Sequence, residues 1–432
     1  MAKPLLTLIL IFLLASAHAE TKGVELQFHI PSSVTIDSTQ TYVELVRDFE
    51  LLHPNIKINL LHEDSYDKVL NTVMNQASKK RASGVFVAEI SELLTLKYAS
   101  AIIPLDDFLK NHTPPVDSYL EKFLPAFLEN SFDDHGRLYA LPIFRSTPLI
   151  YYNLDKLERV GYSYEQLPTT WEELEVLLKK LYAFSNETPL GLANTWYDWI
   201  FESFVRQNGG SLTNSLNTQV KFDSKPVVEA LKFWQELFQS KLMARSPGSW
   251  KDAIYNFVTQ QNYAIIYYSS SGISVASKHA NFRWASSVMP SKEKFAASVG
   301  AGNVFVSNYL TEDQKVAAWT FLRYLTEPET QAKISFHTGY FPVIKKAYAT
   351  EILAQRYNFR PYKNALKQLE YAEAKMMTRD NKWIRQILKT AIDRSLDDML
   401  PANESLKHAQ ILANNRLAPK QVEFVKYKKT EP

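Results

Sequence analysis

Short runs of β-branched and aromatic residues alternate with amphipathic stretches through most of the chain. Val24–Ile30, Ile56–Leu61, Val85–Ala88, Leu138–Ile143, Leu149–Asn153, Ala264–Tyr268 and Asn303–Val306 predict strands. Between them the apolar period lengthens to that of a helix. Trp171, Leu174, Leu177, Leu178 and Leu181 form one stripe behind a Thr170-Trp171-Glu172-Glu173 capping box. Thr311-Glu312-Asp313-Gln314 opens another helix, with Ala318, Phe321, Leu322 and Leu325 on its buried side and Pro328 closing it. From Lys345 onward the strand signals stop and the chain reads as helical, down to a polar end at Lys426–Pro432 expected to fray. Alternating β and α predicts parallel or mixed sheets covered by helices, followed by a helical tail.

The front of the chain reads as an address. Lys3, the apolar run Leu5–Leu14 and Ala17-His18-Ala19 have the layout of a secretory signal cleaved after Ala19. The run is too short to span a bilayer, and no later stretch is long and apolar enough to do so. A soluble, exported protein is expected, and in a bacterium of the two-membrane type that means the periplasm. At 432 residues the chain needs more than one hydrophobic core.

Composition narrows the chemistry mainly by what it lacks. Lys+Arg 49 against Asp+Glu 46 leaves a formal charge of +3, with no run of like charge, so a nucleic-acid surface is not expected. With no cysteine there is no disulfide, thiolate metal site, cysteine nucleophile or lipoprotein anchor. No glycine precedes a lysine, so a P-loop is excluded, and no Gly-x-Ser-x-Gly elbow occurs. Gly300-Ala301-Gly302 lacks the third glycine of a dinucleotide fingerprint, and His62-Glu63 lacks the second histidine of a zinc helix. Asp133-Asp134 and Asp397-Asp398 read as solvated faces or caps. No metal or cofactor is expected, and catalysis is left only to carboxylates distant in sequence.

Two blocks carry a resemblance. Ser146-Thr147-Pro148-Leu149-Ile150-Tyr151-Tyr152-Asn153, then Asp155-Lys156-Leu157 and Pro168-Thr169-Thr170-Trp171-Glu172-Glu173-Leu174, resemble the solute-binding proteins of ABC import systems that take up sugars, polyols and their phosphates. Ser270-Ser271-Gly272, Met289-Pro290, Gly300-Ala301-Gly302 and His337-Thr338-Gly339-Tyr340-Phe341-Pro342-Val343 are similar to the glycerophosphate-binding branch of that family. The resemblance implies an α/β, two-lobed periplasmic-binding-protein fold of type II, with an interdomain cleft and a helical C-terminal tail. Behind the signal peptide at 1–19 it implies a first lobe from 20–141 and 287–333, and a second lobe from 142–286 and 334–432. The chain would cross near Leu141, Ser287 and Ile334. It implies a monomer that captures glycerol-3-phosphate, or a glycerophosphodiester such as glycerophosphocholine, and docks on ABC permease transmembrane subunits.

The same resemblance assigns candidate ligand-binding residues. Tyr66 and Glu89 match first-lobe residues that hold the glycerol end, and a carboxylate at a strand end accepts vicinal hydroxyls. A helix-capping role for Glu89 fits as well. Ser146, Ser270, Ser271 and Gly272 match the anion end, where hydroxyls and N–H groups at a helix start face a phosphate, though serines cap helices everywhere. Gly300 and Ala301 offer backbone N–H, but the family has glycine at the position of Ala301 and serine at that of Ile273. Arg385 matches the phosphate-clasping arginine and borders the apolar stripe of its own helix, where a surface ion pair is the plain alternative. Tyr340, Trp171, Trp196 and Trp199 match aromatics that pack on a polyol; Trp171 fits its own helix's core face equally well. The rival functions are capture of an uncharged sugar or polyol, a secreted carboxylate-dependent hydrolase, and a surface adhesin with no small ligand.

Overall fold

The computed structural model describes residues 23–32, 39–109 and 116–418; the signal sequence and the polar end lie outside them. Two five-stranded sheets organise the chain. In the first, Ile56–Glu63, Val24–Pro31 and Val85–Glu89 run parallel, then Gly300–Val306 runs antiparallel to Val85–Glu89 and to Ala140–Ser146 on its far side. In the second the order is Met243–Ser246, Leu190–Ala193, Ile265–Ser269, Pro148–Asn153 and Trp284–Ser287. The first three of these are parallel, and Pro148–Asn153 pairs antiparallel with both neighbours. Helices cover both sheets, so the strands Val85–Glu89, Ala140–Ser146 and Pro148–Asn153 are buried along their whole length. The fold is the expected two-lobed α/β arrangement.

Local chemistry explains the helices. Thr170 accepts from the Glu173 N–H as anticipated, but Glu173 reaches back to the N–H and hydroxyl of Thr169 instead of Thr170. Trp171, Leu174, Leu177, Leu178 and Leu181 are all buried. Thr311 and Gln314 form a complete capping box. Pro328 does not close that helix: it opens the next, Pro328–Thr338, at a first-turn position where its missing N–H has no partner to lose.

Strand pairing moves one of the expected crossings, and side-chain hydrogen bonds move another. The first sheet continues to Ser146 and the second begins at Pro148, so the chain passes between lobes at Thr147. Helix Pro328–Thr338 stays on the first lobe, where the Gln331 amide donates to the Ile143 carbonyl and accepts from the Val343 N–H. Asn364 instead donates to the Ser286 carbonyl of the second lobe, so the final passage follows Lys345. The first shift arises because an unbroken apolar strand does not reveal which neighbour it will pair with, and the second because the Gln331 and Asn364 contacts join segments far apart in the chain. The tail is not purely helical either, since Ala372–Glu373 pairs with Ala297–Ser298 in a small parallel ladder. Beyond it, helices Asn381–Leu396 and Ala402–Leu417 pack into the second lobe's core through Ile384, Leu388, Ile392, Leu406 and Ala413.

Candidate ligand-binding site between the lobes

The strand ends of both sheets converge on one cavity. Glu89 ends Val85–Glu89, Ser146 ends Ala140–Ser146, Ser269 ends Ile265–Ser269, and Ser271 follows it. Gly300 and Ala301 start the antiparallel strand facing them, and Tyr66, Trp196, Trp199 and Tyr340 complete the matched set. Crevices at strand carboxyl ends are where open α/β sheets hold ligands. Trp250, Lys251, Tyr268, Ser269 and Lys375 also line the cavity and were not anticipated. Trp250 stacks on Tyr268, with centroids 4.3 Å apart and planes 18° from parallel. That pairing joins two distant segments and leaves no local sequence signal.

Close backbone approach explains the glycines. A Cβ at Gly300 would lie 2.8 Å from the Trp199 ring, whose indole N–H donates to the Ser298 carbonyl at 2.9 Å. A Cβ at Gly302 would meet Val87 at 2.8 Å and the Tyr66 hydroxyl at 2.9 Å. Between them Ala301 sits at φ +99°, next to a register shift at Gly302/Asn303. The Tyr66 hydroxyl is buried with no hydrogen-bond partner among the described residues. Burial, with Tyr340 and Glu89 nearby, holds its pKa well above the usual phenol value, so it stays a neutral donor.

Glu89 is only 3% exposed and both of its oxygens are engaged. One oxygen accepts from Lys375 Nζ at 2.9 Å, and the other from the Ser91 N–H at 3.0 Å and from the Ser91 hydroxyl. Burial alone would raise its pKa; Lys375, Arg385 and Ser91 outweigh burial and hold it below the ordinary carboxylate value. Nearby Glu92 has the opposite balance. Burial and the Glu89 charge raise its pKa to about 7 against the pull of Arg385, and one of its oxygens has no partner.

Four expected residues lie elsewhere. Ser270 binds the crossing residue: its N–H donates to the Thr147 carbonyl at 2.8 Å and its hydroxyl accepts from the Thr147 N–H. Gly272 faces the Tyr268 ring, which a Cβ would meet at 2.6 Å. Trp171 sits in the second lobe's core, stacked on Phe233 at 4.9 Å and donating to Gln207. Arg385 lines an adjoining cavity that shares Tyr66 and Trp196 as its wall with the first. Its Nε donates to Asp198 at 2.7 Å and its guanidinium lies 4.7 Å from the Trp196 ring centre. Asp198, 4% exposed, is the buried acid that sequence reading missed.

Two α/β lobes enclosing a polar and aromatic cavity define a protein that captures a small solute between them. The chain belongs to the bacterial extracellular solute-binding proteins, whose family profile matches residues 44–361. Proteins of this family are the substrate-binding components of ABC importers and are not enzymes. Among curated relatives, the sn-glycerol-3-phosphate-binding periplasmic protein UgpB of Brucella abortus is 25% identical over 316 residues, 71% of this chain and 72% of that one. Its Escherichia coli counterpart is 25% identical over 319 residues, 70% and 71% of the two chains. Among solved structures, UgpB from Mycobacterium tuberculosis in complex with glycerophosphocholine superposes with a TM-score of 0.79 at 20% identity, covering 91% of this chain and 98% of that one. The GacH receptor of Streptomyces glaucescens, solved unliganded and with acarbose, gives 0.78 at 16% identity over 91% and 98%.

Proposed function

We propose that this chain captures glycerol-3-phosphate, or a glycerophosphodiester such as glycerophosphocholine, in the cavity between its lobes. It then delivers the ligand to the transmembrane subunits of an ABC permease, acting as a monomer in the periplasm after signal cleavage following Ala19. The supporting observation is the composition of the cavity wall. Its one carboxylate, Glu89, is outnumbered by the ammonium groups of Lys251 and Lys375, and serine hydroxyls stand beside aromatic faces. A small anion with a polyol end suits that wall, its charge meeting the cations and its C–H faces meeting the rings. The ligand contacts assigned to this role are Tyr66, Ser146, Ser271, Gly300, Ala301, Trp196, Trp199 and Tyr340. Arg385 adds positive potential from behind Trp196. Contact with both lobes favours the arrangement in which they approach each other.

The names of the curated relatives support the glycerophosphate reading. A second reading, an uncharged sugar, draws on the rings of Trp196, Trp199, Trp250, Tyr268 and Tyr340 in the same wall and on the acarbose complex of GacH. Calorimetric titration of the purified mature chain with glycerol-3-phosphate, glycerophosphocholine and maltose separates them. Micromolar binding, roughly −8 kcal/mol, is expected for a phosphate ester. Binding of maltose with no response to either ester at millimolar concentration refutes the assignment.

A further inference from the structure

The cavity wall contains a cation paired with the carboxylate that a polyol would otherwise engage. Lys375 follows the Ala372–Glu373 strand, and its side chain is 3% exposed. Its backbone is fixed from both lobes. The Lys375 N–H donates to Asn130 at 3.0 Å and its carbonyl accepts from the Asn130 amide at 3.0 Å, while the next N–H, of Met376, donates to Glu202 at 2.7 Å. The ammonium therefore has little freedom of position. It donates once, to Glu89, and lies 5.1 Å from the centre of the Trp196 ring.

An ammonium offers three N–H donors, and a carboxylate about four acceptor sites. Lys375 and the two groups of Ser91 take up most of the capacity of Glu89. Little is left for the hydroxyls of a ligand. Lys375 has the complementary surplus: no other hydrogen bond is made by its Nζ among the described residues, and the group lines the cavity. Arg385 is differently placed, with its Nε already on Asp198 and Trp196 between it and this cavity. Buried ammonium groups are costly unless paired and hydrogen-bonded, so unused donors facing a cavity favour an anionic oxygen there.

We propose that Lys375 is the residue that selects an anionic ligand in this cavity, its ammonium donating to the ligand's charged oxygen while Glu89 serves as its fixed counter-ion. The inference rests on the glycerophosphate reading above and changes how that ligand is held: the charged end meets Lys375, and Glu89 binds the lysine more than the glycerol. The charges on the wall, Lys251 and Lys375 against Glu89, leave one positive charge in excess, which one ionised phosphodiester balances.

The test uses the full mature chain with Lys375→Met, with Lys375→Arg, and with the double change Lys375→Met/Glu89→Gln. The double change removes both charges together, so it leaves no unpaired buried carboxylate if the single variant folds poorly. Titration with glycerophosphocholine and glycerol-3-phosphate is read alongside thermal unfolding. The expected result is a loss of affinity of about tenfold to a hundredfold in the double variant, the range for a hydrogen bond to a charged group. Lys375→Arg should retain most of the binding. Parent-level affinity for a phosphate ester in a folded double variant overturns the role of Lys375 while leaving the glycerophosphate reading intact. A parent chain that binds neither ester overturns both.

Discussion

Ala301 is the residue whose backbone conformation fits it worst. Its φ of +99° lies in a region that L residues avoid because Cβ crowds the carbonyl oxygen. Such a conformation costs roughly 1–3 kcal/mol and persists only where neighbours over-determine it. Here the neighbours are two strands. Ala301 pairs in register with Arg145, and the adjoining Gly302 pairs with both Glu89 and Phe144. Ala301→Gly should relieve the strain. Against that gain stand the greater freedom of glycine in the unfolded chain, about 0.4–1 kcal/mol, and the loss of a half-buried methyl, below about 0.8 kcal/mol. The net expectation is stabilisation of about 0.5–1 kcal/mol.

Equilibrium urea unfolding followed by tryptophan fluorescence measures this directly. The midpoint should rise while the slope stays unchanged, since the folded state is as compact as before. Ala301→Val supplies the opposite sign, because a β-branched residue at positive φ is worse than alanine; a loss of 2 kcal/mol or more is expected. Destabilisation of Ala301→Gly by more than about 1 kcal/mol would refute the reasoning, since it would mean that the methyl contributes more by packing than it costs in strain. Because Ala301 also lines the cavity, the glycine variant should accept a bulkier ligand.

Three further outcomes follow from the same region. Glu92 has its pKa raised from 4.5 to about 7, so the folded state binds a proton that the unfolded chain has released. Stability should therefore fall as pH rises from about 4.5 to about 7, by about 3 kcal/mol in all. Denaturation of Glu92→Gln between pH 5 and 8 should show that decline removed, and an unchanged profile counts against the shift. Arg145, fully buried, donates to the carbonyls of Phe127, Phe144 and Gly302 and to the side-chain oxygen of Asn303. Arg145→Met leaves these acceptors without a donor and should cost about 3–5 kcal/mol by denaturant unfolding. Arg385→Ala leaves Asp198 buried without its guanidinium and should cost about 3–5 kcal/mol before any ligand is added. Asp198→Asn in the same chain should recover much of that loss, and no recovery would argue against an unpaired charge as its cause.

The sequence is most legible where one residue type can do only one thing. The Thr311 box and the Trp171–Leu181 stripe appear in the structure because capping and burial act over a single turn or a single face. Strands Leu190–Ala193, Met243–Ser246 and Trp284–Ser287 escaped notice because four residues are too few to show a period. Of the residues that the resemblance singled out, Tyr66, Glu89, Ser146, Ser271, Gly300, Ala301, Tyr340, Trp196 and Trp199 line one cavity. It gave no hint of Lys375, since a lysine in a short connecting segment reads as solvated until Glu89 and Asn130 are brought to it. Trp171 shows the converse error: its match to a ligand-packing tryptophan and its place in a helix stripe were both visible, and the Phe233 stack puts it in the core.

The charged groups around the cleft form an ordered series that bears on how a ligand can act. Lys375 pairs with Glu89, Ser91 links Glu89 to Asn381 through a 2.7 Å hydrogen bond, and Arg385 on the same helix as Asn381 pairs with Asp198. The Ser91–Asn381 bond ties the first lobe to a helix packed into the second, as does the ion pair of Asp67 with Lys382 at 3.4 Å. The Asp67 pair is substantially exposed and worth little. The Ser91–Asn381 contact is buried, and drawing the lobes apart would exchange it for water. The approach of the lobes is therefore stabilised partly by the chain itself. A ligand shifts their equilibrium only by its differential affinity, and its apparent dissociation constant is the intrinsic one divided by the fraction already competent to bind. Pre-formed contacts raise that fraction, so a ligand small enough for this narrow cavity needs only a few charged and polar contacts to hold the two lobes together.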